Sequence, residues 1–289
     1  MITRTIAGVA IFACFLGILV LDRTLEMDLF LGIMILAGVT LAVREFYLLC
    51  EKNGLTPFTT FGTACAFLFT AIAWIEFGGY HNFGVTTGGA LVPGCLAAAL
   101  FGCFILQAGK KDNAGLFESI GATMFGILYV WFLAIFLIKI RHLGGADWLD
   151  KGTRYVFYTV MAVKASDIGA YAVGSAIGRH KLCPSISPNK SVEGFFGGLA
   201  SSVLTAAVIK TVIFSGYEFL DWVPLIAITL AISIVAVLGD LAESMMKRRA
   251  RVKDSSKTLP GFGGLLDIMD SLLPAMPVAY FLLITAGGA

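Results

Sequence analysis

Long apolar stretches separated by short polar segments dominate the chain. A helix needs about 20 apolar residues to cross a bilayer. Nine stretches approach or reach that length, at approximately residues 5–21, 28–43, 57–77, 86–106, 115–138, 155–177, 194–215, 222–239 and 265–286. No internal repeat or long linker is evident. The pattern predicts an all-α, polytopic integral membrane protein with about nine transmembrane helices in a single membrane domain, residues 1–289.

Composition supports this class. The 289 residues are 58% hydrophobic and 14% charged, with a mean hydropathy of +0.87. A soluble domain would carry roughly 25% charged residues. The six cysteines are scattered and the three histidines form no cluster, so we expect reduced thiols and no zinc site. The net charge of +2 says little about partners, and no nucleic-acid partner is expected.

Basic residues predict the orientation of the helices. The first apolar stretch lacks the small residues that mark signal-peptide cleavage, so we interpret it as a retained span. With the N-terminus inside, 14 of the 21 Lys and Arg residues lie on the inner side and five on the outer side. The two most basic loops, 178–193 and 244–264, are then cytosolic.

Two charged residues lie in the middle of the sixth predicted span. Lys164 and Asp167 are three residues apart and therefore neighbours on one helix face. They are either an ion pair that fixes helix packing, or Asp167 lines a water-filled cavity open to the cytosol.

The loop after this span carries a second candidate group. Residues 187–190, Ser-Pro-Asn-Lys, are predicted to form a turn, and Ser191 to Glu193 to open the next helix. Lys190 would then lie beside a helix N-terminus, where phosphate binds favourably. The alternative is a capped helix next to a loop that is basic for topological reasons alone. The glycine spacing of a Walker A motif is absent.

The richest stretch is residues 239–271. Asp240, Ser244 and Lys247 would share one stripe if their helix continues into the cytosol, and Asp267 and Asp270 would face together at the start of the last helix. Carboxylates without sulfur or imidazole partners suit a hard cation such as Mg²⁺.

A glycine-rich turn precedes these last two acids. Its bare backbone would permit close approach to a ligand, and it comprises Pro260, Gly261, Gly263 and Gly264. Basic residues around the turn are explained by topology, whereas buried carboxylates without counter-charge cost several kcal/mol each.

These motifs resemble those of the CDP-diacylglycerol synthases, the phosphatidate cytidylyltransferase family. The match covers about residues 165–275, and the first half matches only as apolar helices. The matching segments are Asp167-Ile-Gly-Ala-Tyr171, Ser187-Pro-Asn-Lys190-Ser-Val-Glu193-Gly194, Gly239-Asp240-Leu241, Ser244-Met-Met-Lys247-Arg248, Lys253-Asp254, Pro260-Gly-Phe-Gly-Gly264 and Asp267-Ile-Met-Asp270.

The resemblance implies CMP transfer from CTP to phosphatidate, releasing pyrophosphate, by an enzyme of phospholipid biosynthesis. It implies one or two Mg²⁺ ions held by Asp240, Asp267 and Asp270, and catalytic roles for Lys190, Ser244, Lys247 and Asp270. It further implies a homodimer in a bacterial plasma membrane. Residues 1–150 would form the scaffold and residues 151–289 would carry the motifs, and the distribution of basic residues predicts that the site faces the cytosol. The substrate-binding residues would be Asp167, Ser187, Lys190, Ser244, Lys247, Arg248, Lys253, Gly261, Gly263 and Gly264.

Two positions depart from the family pattern. Phe262 replaces a histidine, and Ile268 replaces an arginine between the two acids. Lys164 is a candidate for the missing charge. Alternative functions are a CTP-dependent polyprenol or phytol kinase, which would release CDP, and an ion-coupled transporter, against which the absence of an inverted repeat argues.

The predicted depths of Asp167 and Asp240 in the membrane differ. Asp167 would lie roughly 16 Å into the membrane at 1.5 Å per residue, whereas Asp240 is near the surface. Either the helix is broken near Gly169, or the site is a deep funnel, or Asp167 belongs to a separate structural pair.

Overall fold

Helices make up nearly all of the structure, a computed structural model that describes residues 2–25, 29–78, 90–110, 114–144, 148–217, 219–259 and 263–288. π-helical turns at Ile127–Phe132, Ile209–Ile213 and Ile284–Gly288 extend three of the helices. The elements are α1 (Ile2–Thr24), α2 (Phe30–Lys52), α3 (Thr59–Phe77), α4 (Leu91–Ala108), α5 (Leu116–Gly126), α6 (Leu133–Arg141), α7 (Trp148–Ile177), β1 (Lys181–Cys183), β2 (Ser187–Ser191), α8 (Val192–Val208), α9 (Trp222–Arg249), α10 (Leu266–Met269) and α11 (Leu272–Leu283).

The prediction of an all-α polytopic membrane protein is confirmed. Within the described residues, seven helical segments are long and apolar enough to cross a membrane: Phe30–Lys52, Thr59–Phe77, Leu91–Ala108, Leu116–Arg141, Val192–Ile213, Trp222–Arg249 and Leu266–Gly287. Large apolar side chains stay exposed on them, for example Ile105 at 73% and Val223 at 80%, as suits contact with lipid. The count of nine spans and the orientation stay predictions.

The chain divides into two compact units. Unit 1 contains residues 1–138 and 249–269, and unit 2 contains residues 139–248 and 270–289. The long α9 therefore belongs to unit 2 almost to its end, and the segment that follows it belongs to unit 1. The expected single membrane domain, with its scaffold and motif-bearing halves, stays a prediction.

Unit 1 is organised around α2. Phe46 and Tyr47 are almost fully buried, and the Tyr47 hydroxyl donates to the carbonyl of Thr123 in α5 at 2.8 Å. The Thr123 hydroxyl in turn accepts from the backbone N–H of Phe58 at 2.8 Å, just before α3 begins. Because buried polar groups are satisfied in this way, α5 and the start of α3 are fixed around α2.

In unit 2, the helices α7 and α8 pack closely over most of their length. Small residues line the contact, and the Ser202 hydroxyl of α8 donates to the carbonyl of Ala162 in α7 at 2.8 Å. Ser233 of α9 donates to Ser202 at 2.7 Å. α7 runs unbroken from Trp148 to Ile177, so the alternative of a break near Gly169 is wrong.

Candidate functional site

A small β-hairpin follows α7, and it corrects one prediction. Residues 187–190 are not a turn. They lie in β2, which pairs antiparallel with β1 in the register Lys181↔Ser191 and Cys183↔Ser187, and the turn occupies residues 184–186. Pro188 misled the prediction, since proline is tolerated in an edge strand where its missing N–H is not needed.

The hairpin positions Lys190 beside a carboxylate of α9. The Nζ of Lys190 lies 2.8 Å from Oδ2 of Asp240. The predicted helix start is confirmed, because Ser191 is the N-cap of α8 and its hydroxyl accepts from the backbone N–H of Gly194 at 3.1 Å. Lys190 thus lies one residue before the cap and forms an ion pair, while its predicted phosphate contact stays a prediction.

The predicted stripe on α9 is present because the helix continues to Arg249. Ser244 donates to Asp240 at 3.3 Å, one turn away. Lys247 pairs with Glu243 at 2.6 Å, and Glu243 is completely buried. Lys190 and Lys247, which were both predicted to meet substrate, therefore each have a carboxylate partner.

Close packing brings α9 to the start of α11. A Cβ at Gly239 would lie 2.3 Å from the carbonyl oxygen of Asp270 and 2.4 Å from Cγ of Pro274. Only glycine permits that approach, which places Asp240 beside Asp270. Asp270 is 7% exposed, and Asp240, Asp167, Glu243 and Lys164 lie near enough to act on its charge.

Lys164 and Asp167 share one face of α7 as predicted, with Nζ 3.3 Å from Oδ2. Ser271 joins both: its hydroxyl donates to Asp167 at 3.0 Å and accepts from Lys164 at 3.1 Å. Its backbone N–H donates to Asp270. The Lys164–Asp167 pair is therefore linked to the acids of α9 through Asp270 and Ser271, the two residues that precede α11.

We call this group of unit 2 the polar cluster. Its side chains come from α7, β2, α9 and the residues before α11, and they include three lysines and four carboxyl groups. The members are Lys164, Asp167, Lys190, Asp240, Glu243, Ser244, Lys247, Asp270 and Ser271. The carboxyl groups outnumber the lysines by one, as suits a site that also receives a cation.

Asp267 has different surroundings, in unit 1. Its Oδ2 accepts from the backbone N–H and the hydroxyl of Ser255, at 2.9 and 2.8 Å, and from the N–H of Gly264 at 2.7 Å. The predicted common face with Asp270 is wrong in detail. Asp267 lies in α10, which ends at Met269, whereas Asp270 lies in the turn before α11 begins at Leu272.

The remaining predicted residues lie in the hairpin and in the segment after α9. Arg248 donates from Nε to the carbonyl of Ile186 at 3.2 Å, so it holds the hairpin turn. Lys253 is exposed, and Gly263 pairs through its backbone with Leu259. Ser187 opens β2, and Gly261, like Phe262, lies outside the described residues.

Comparison of the sequence with known proteins shows the family of this chain. Residues 2–286 match the cytidylyltransferase family. The chain belongs to that family. It is 40% identical over 171 residues to a phosphatidate cytidylyltransferase of Bacillus subtilis, which covers 59% of this chain and 61% of the relative. Proteins of the same name from Staphylococcus saprophyticus (40% over 174 residues, 60% and 63%) and Staphylococcus epidermidis (43% over 135 residues, 47% and 51%) are also similar.

These matches span about half to five-eighths of the relatives' lengths. Membership of the cytidylyltransferase family is established over nearly the whole chain.

Within the described residues of this family member, no three His, Cys, Asp or Glu side chains are arranged to hold a metal ion. The polar cluster does offer oxygen donors of the kind that Mg²⁺ prefers, from Asp240, Asp270 and Ser244. Coordination by these two acids and Asp267 stays a prediction.

Three residues with structural roles were not predicted from the sequence. Glu243 was overlooked between Asp240 and Ser244, although a spacing of three from Asp240 places both acids on the same helix face. Ser271 gave no signal, since serine is common at helix starts. Glu45 on α2 follows Arg44 at the end of an apolar run, where a charge is ordinary.

Proposed function

We propose that this protein transfers CMP from CTP to phosphatidate, giving CDP-diacylglycerol and pyrophosphate. The polar cluster carries the proposal: lysines and carboxylates from four separated segments meet among apolar helices, in a family of cytidylyltransferases. A lipid substrate and a soluble nucleotide must meet at the edge of a membrane, and polar groups within apolar helices suit that demand.

The chemistry needs positioning and charge neutralisation more than proton transfer. The phosphate monoester of the lipid has its second pKa at about 6 and is largely dianionic near pH 7, so no dedicated general base is required. Its oxygen attacks the α-phosphorus of CTP in line, a new P–O bond forms, and the bond to the bridging oxygen breaks. Pyrophosphate leaves with that electron pair.

The residues of the polar cluster have distinct tasks in this scheme. Lys190 and Lys247 offset the charge of the triphosphate and of the leaving pyrophosphate. The Ser244 hydroxyl donates to a phosphate oxygen, and Asp167, with Lys164, lines the inner wall near the lipid head group. Holding the two reactants in line adds to the rate enhancement.

Asp240 and Asp270 would hold Mg²⁺, whose chemistry is to neutralise the negative charge that accumulates on the phosphates. The donor set fits that ion, because it contains carboxylate and hydroxyl oxygens with neither thiolate nor imidazole. We further propose that the site faces the cytosol of a bacterial plasma membrane, where CTP is found, and that the protein is a homodimer.

The test uses the purified full chain in detergent with phosphatidate and Mg²⁺. CTP labelled at the α-phosphate should transfer its label to lipid, with release of pyrophosphate, and Asp240→Asn should lose this activity. Label from the γ-phosphate in lipid, with CDP released, would instead identify a lipid kinase. Wild-type protein that transfers neither label would overturn the proposal.

A further inference from the structure

A buried acid of α2 holds the segment that carries Asp267. Glu45 is 4% exposed. Its Oε2 accepts from the backbone N–H of Leu266 at 2.9 Å, and its Oε1 accepts from the hydroxyl of Ser256 at 2.7 Å. These partners are separated from Glu45 by more than 200 residues, so a single side chain joins two distant parts of unit 1.

Asp267 also holds this segment, at the turn formed by Gly263 and Gly264. A Cβ at Gly264 would lie 2.4 Å from Oε2 of Glu45 and 2.0 Å from Oγ of Ser255, so no side chain fits there. The N–H of Gly264 donates to Asp267 at 2.7 Å. Gly264 is therefore enclosed between Glu45, Ser255 and the acid that follows it by three residues, which explains a glycine of the motif by packing.

A second residue of α2 reinforces this attachment. Lys52 lies seven residues after Glu45 and hence on the same helix face. Its Nζ donates to the carbonyl of Ser255 at 3.3 Å. Ser255 binds Asp267 through both its N–H and its hydroxyl. Two points of α2, about 10 Å apart along the axis, thus support one short segment.

We propose that Glu45 is a positioning residue, which sets the place of Asp267 and of the Gly263-Gly264 turn without touching substrate. The inference rests on the proposed function for its consequence in catalysis, and on contacts within unit 1 for its geometry. It assigns a function to a residue of α2, a helix outside the motifs at about residues 165–275.

Two variants separate positioning from general support. Glu45→Ala removes both acceptors, whereas Glu45→Gln can still accept from Leu266 and donate to Ser256. Glu51→Ala is the matched control, because Glu51 is an exposed acid of the same helix whose oxygen accepts from Thr59 at 2.6 Å, away from this segment.

The first measurement is amide hydrogen exchange of residues 263–268 in the full-length protein in detergent. A hydrogen bond to a charged group changes a local equilibrium by about tenfold or more. We expect Glu45→Ala to accelerate exchange at Leu266 at least about tenfold, Glu45→Gln to restore most of the protection, and Glu51→Ala to match wild type.

The second measurement is CMP transfer at varied CTP and phosphatidate. We expect kcat of Glu45→Ala to fall about tenfold or more with KM little changed, and Glu45→Gln to recover most of kcat. Equal exchange and equal kcat in Glu45→Ala and Glu51→Ala would overturn the proposal. So would accelerated exchange with wild-type kcat, since the turn would then not govern the reaction.

A variant that fails to fold does not end the test. Ser256→Ala removes one of the two Glu45 contacts, together with the hydrogen bonds between Ser256 and Thr258. It should produce the same pattern at about three- to tenfold; wild-type exchange and kcat would count against the proposal. Failure of the proposed function is recognised separately. Wild-type protein without CMP transfer refutes that function, whereas the exchange comparison still tests whether Glu45 holds the turn.

Discussion

Gly239→Ala tests whether the approach of α9 to the start of α11 sets the geometry of the polar cluster. The added methyl would lie 2.3 Å from the carbonyl oxygen of Asp270 and 2.4 Å from Cγ of Pro274. Carbon and carbonyl oxygen normally stay about 3.3–3.6 Å apart. The helix and the turn must therefore separate by about 1 Å, which displaces Asp240 relative to Asp270.

The expected effects on rate and on stability differ in size. A misplacement of about 1 Å can cost about 100-fold in rate. Overpacking destabilises by about 1–3 kcal/mol, and replacing glycine by alanine within a helix returns about 1 kcal/mol. We expect CMP transfer to fall by about 100-fold while the free energy of unfolding falls by only about 0–2 kcal/mol.

The assay compares initial rates of CMP transfer with the thermal unfolding midpoint, each against Gly121→Ala. Gly121 lies in α5, and a methyl added there would have no heavy atom within 4 Å beyond its own helix backbone and chain neighbours, so its replacement should leave activity unchanged and stability equal or slightly higher. Wild-type activity in Gly239→Ala would refute the reasoning, because the cluster would then tolerate the displacement.

Two further changes address individual members of the polar cluster. Lys190→Met should lower the rate of CMP transfer by about 100-fold or more, since Asp240 and the phosphates both lose their cation. Lys190→Arg should retain more of the activity. Equal rates in the two variants would contradict an ionic role. Ser271→Ala removes the hydroxyl that joins Asp167 to the α11 start and should lower the rate about tenfold, with Ser271→Thr closer to wild type; steady-state rates check this, and an unaffected Ser271→Ala would show that the link is dispensable.

Much of the fold follows from one signal. Apolar runs of about 20 residues locate the helices, because a chain in lipid must satisfy its backbone internally. Helix ends were less predictable: α9 continues ten residues beyond the apolar run that ends at Gly239, and α7 begins seven residues before residue 155. Polar residues extend these helices, so hydropathy alone places their ends too early or too late.

The site was predictable where its residues neighbour one another along a helix. The pairing of Lys164 with Asp167 followed from a spacing of three. The contacts of Ser271 with Asp167 and of Glu45 with Leu266 join residues more than 100 positions apart. No local periodicity reports such contacts. The prediction of a turn at residues 187–190 was wrong for another reason. Ser-Pro-Asn is typical of turns, and only pairing with the partner strand makes it extended.

The resting ion pairs have a consequence for substrate binding. Lys190 is bound to Asp240 and Lys247 to Glu243, at 2.8 and 2.6 Å. A triphosphate that recruits these lysines must displace the carboxylates, and a carboxylate left without a cation in such surroundings is costly. A divalent cation at Asp240 removes that cost. CTP and Mg²⁺ should therefore strengthen each other's binding at this site, reciprocally and by the same factor.

This coupling predicts an effect of unusual sign for a residue proposed to hold the metal. Asp240→Asn leaves Lys190 without its competing carboxylate, so CTP should bind the variant more tightly than wild type when Mg²⁺ is absent. With Mg²⁺ present the order should reverse, because the variant has lost a ligand for the ion. Equilibrium binding of labelled CTP, with EDTA and with Mg²⁺, measures both arms. Weaker binding by Asp240→Asn in EDTA would contradict the exchange of partners, because it would mean that Asp240 helps Lys190 to meet the nucleotide instead of competing with it.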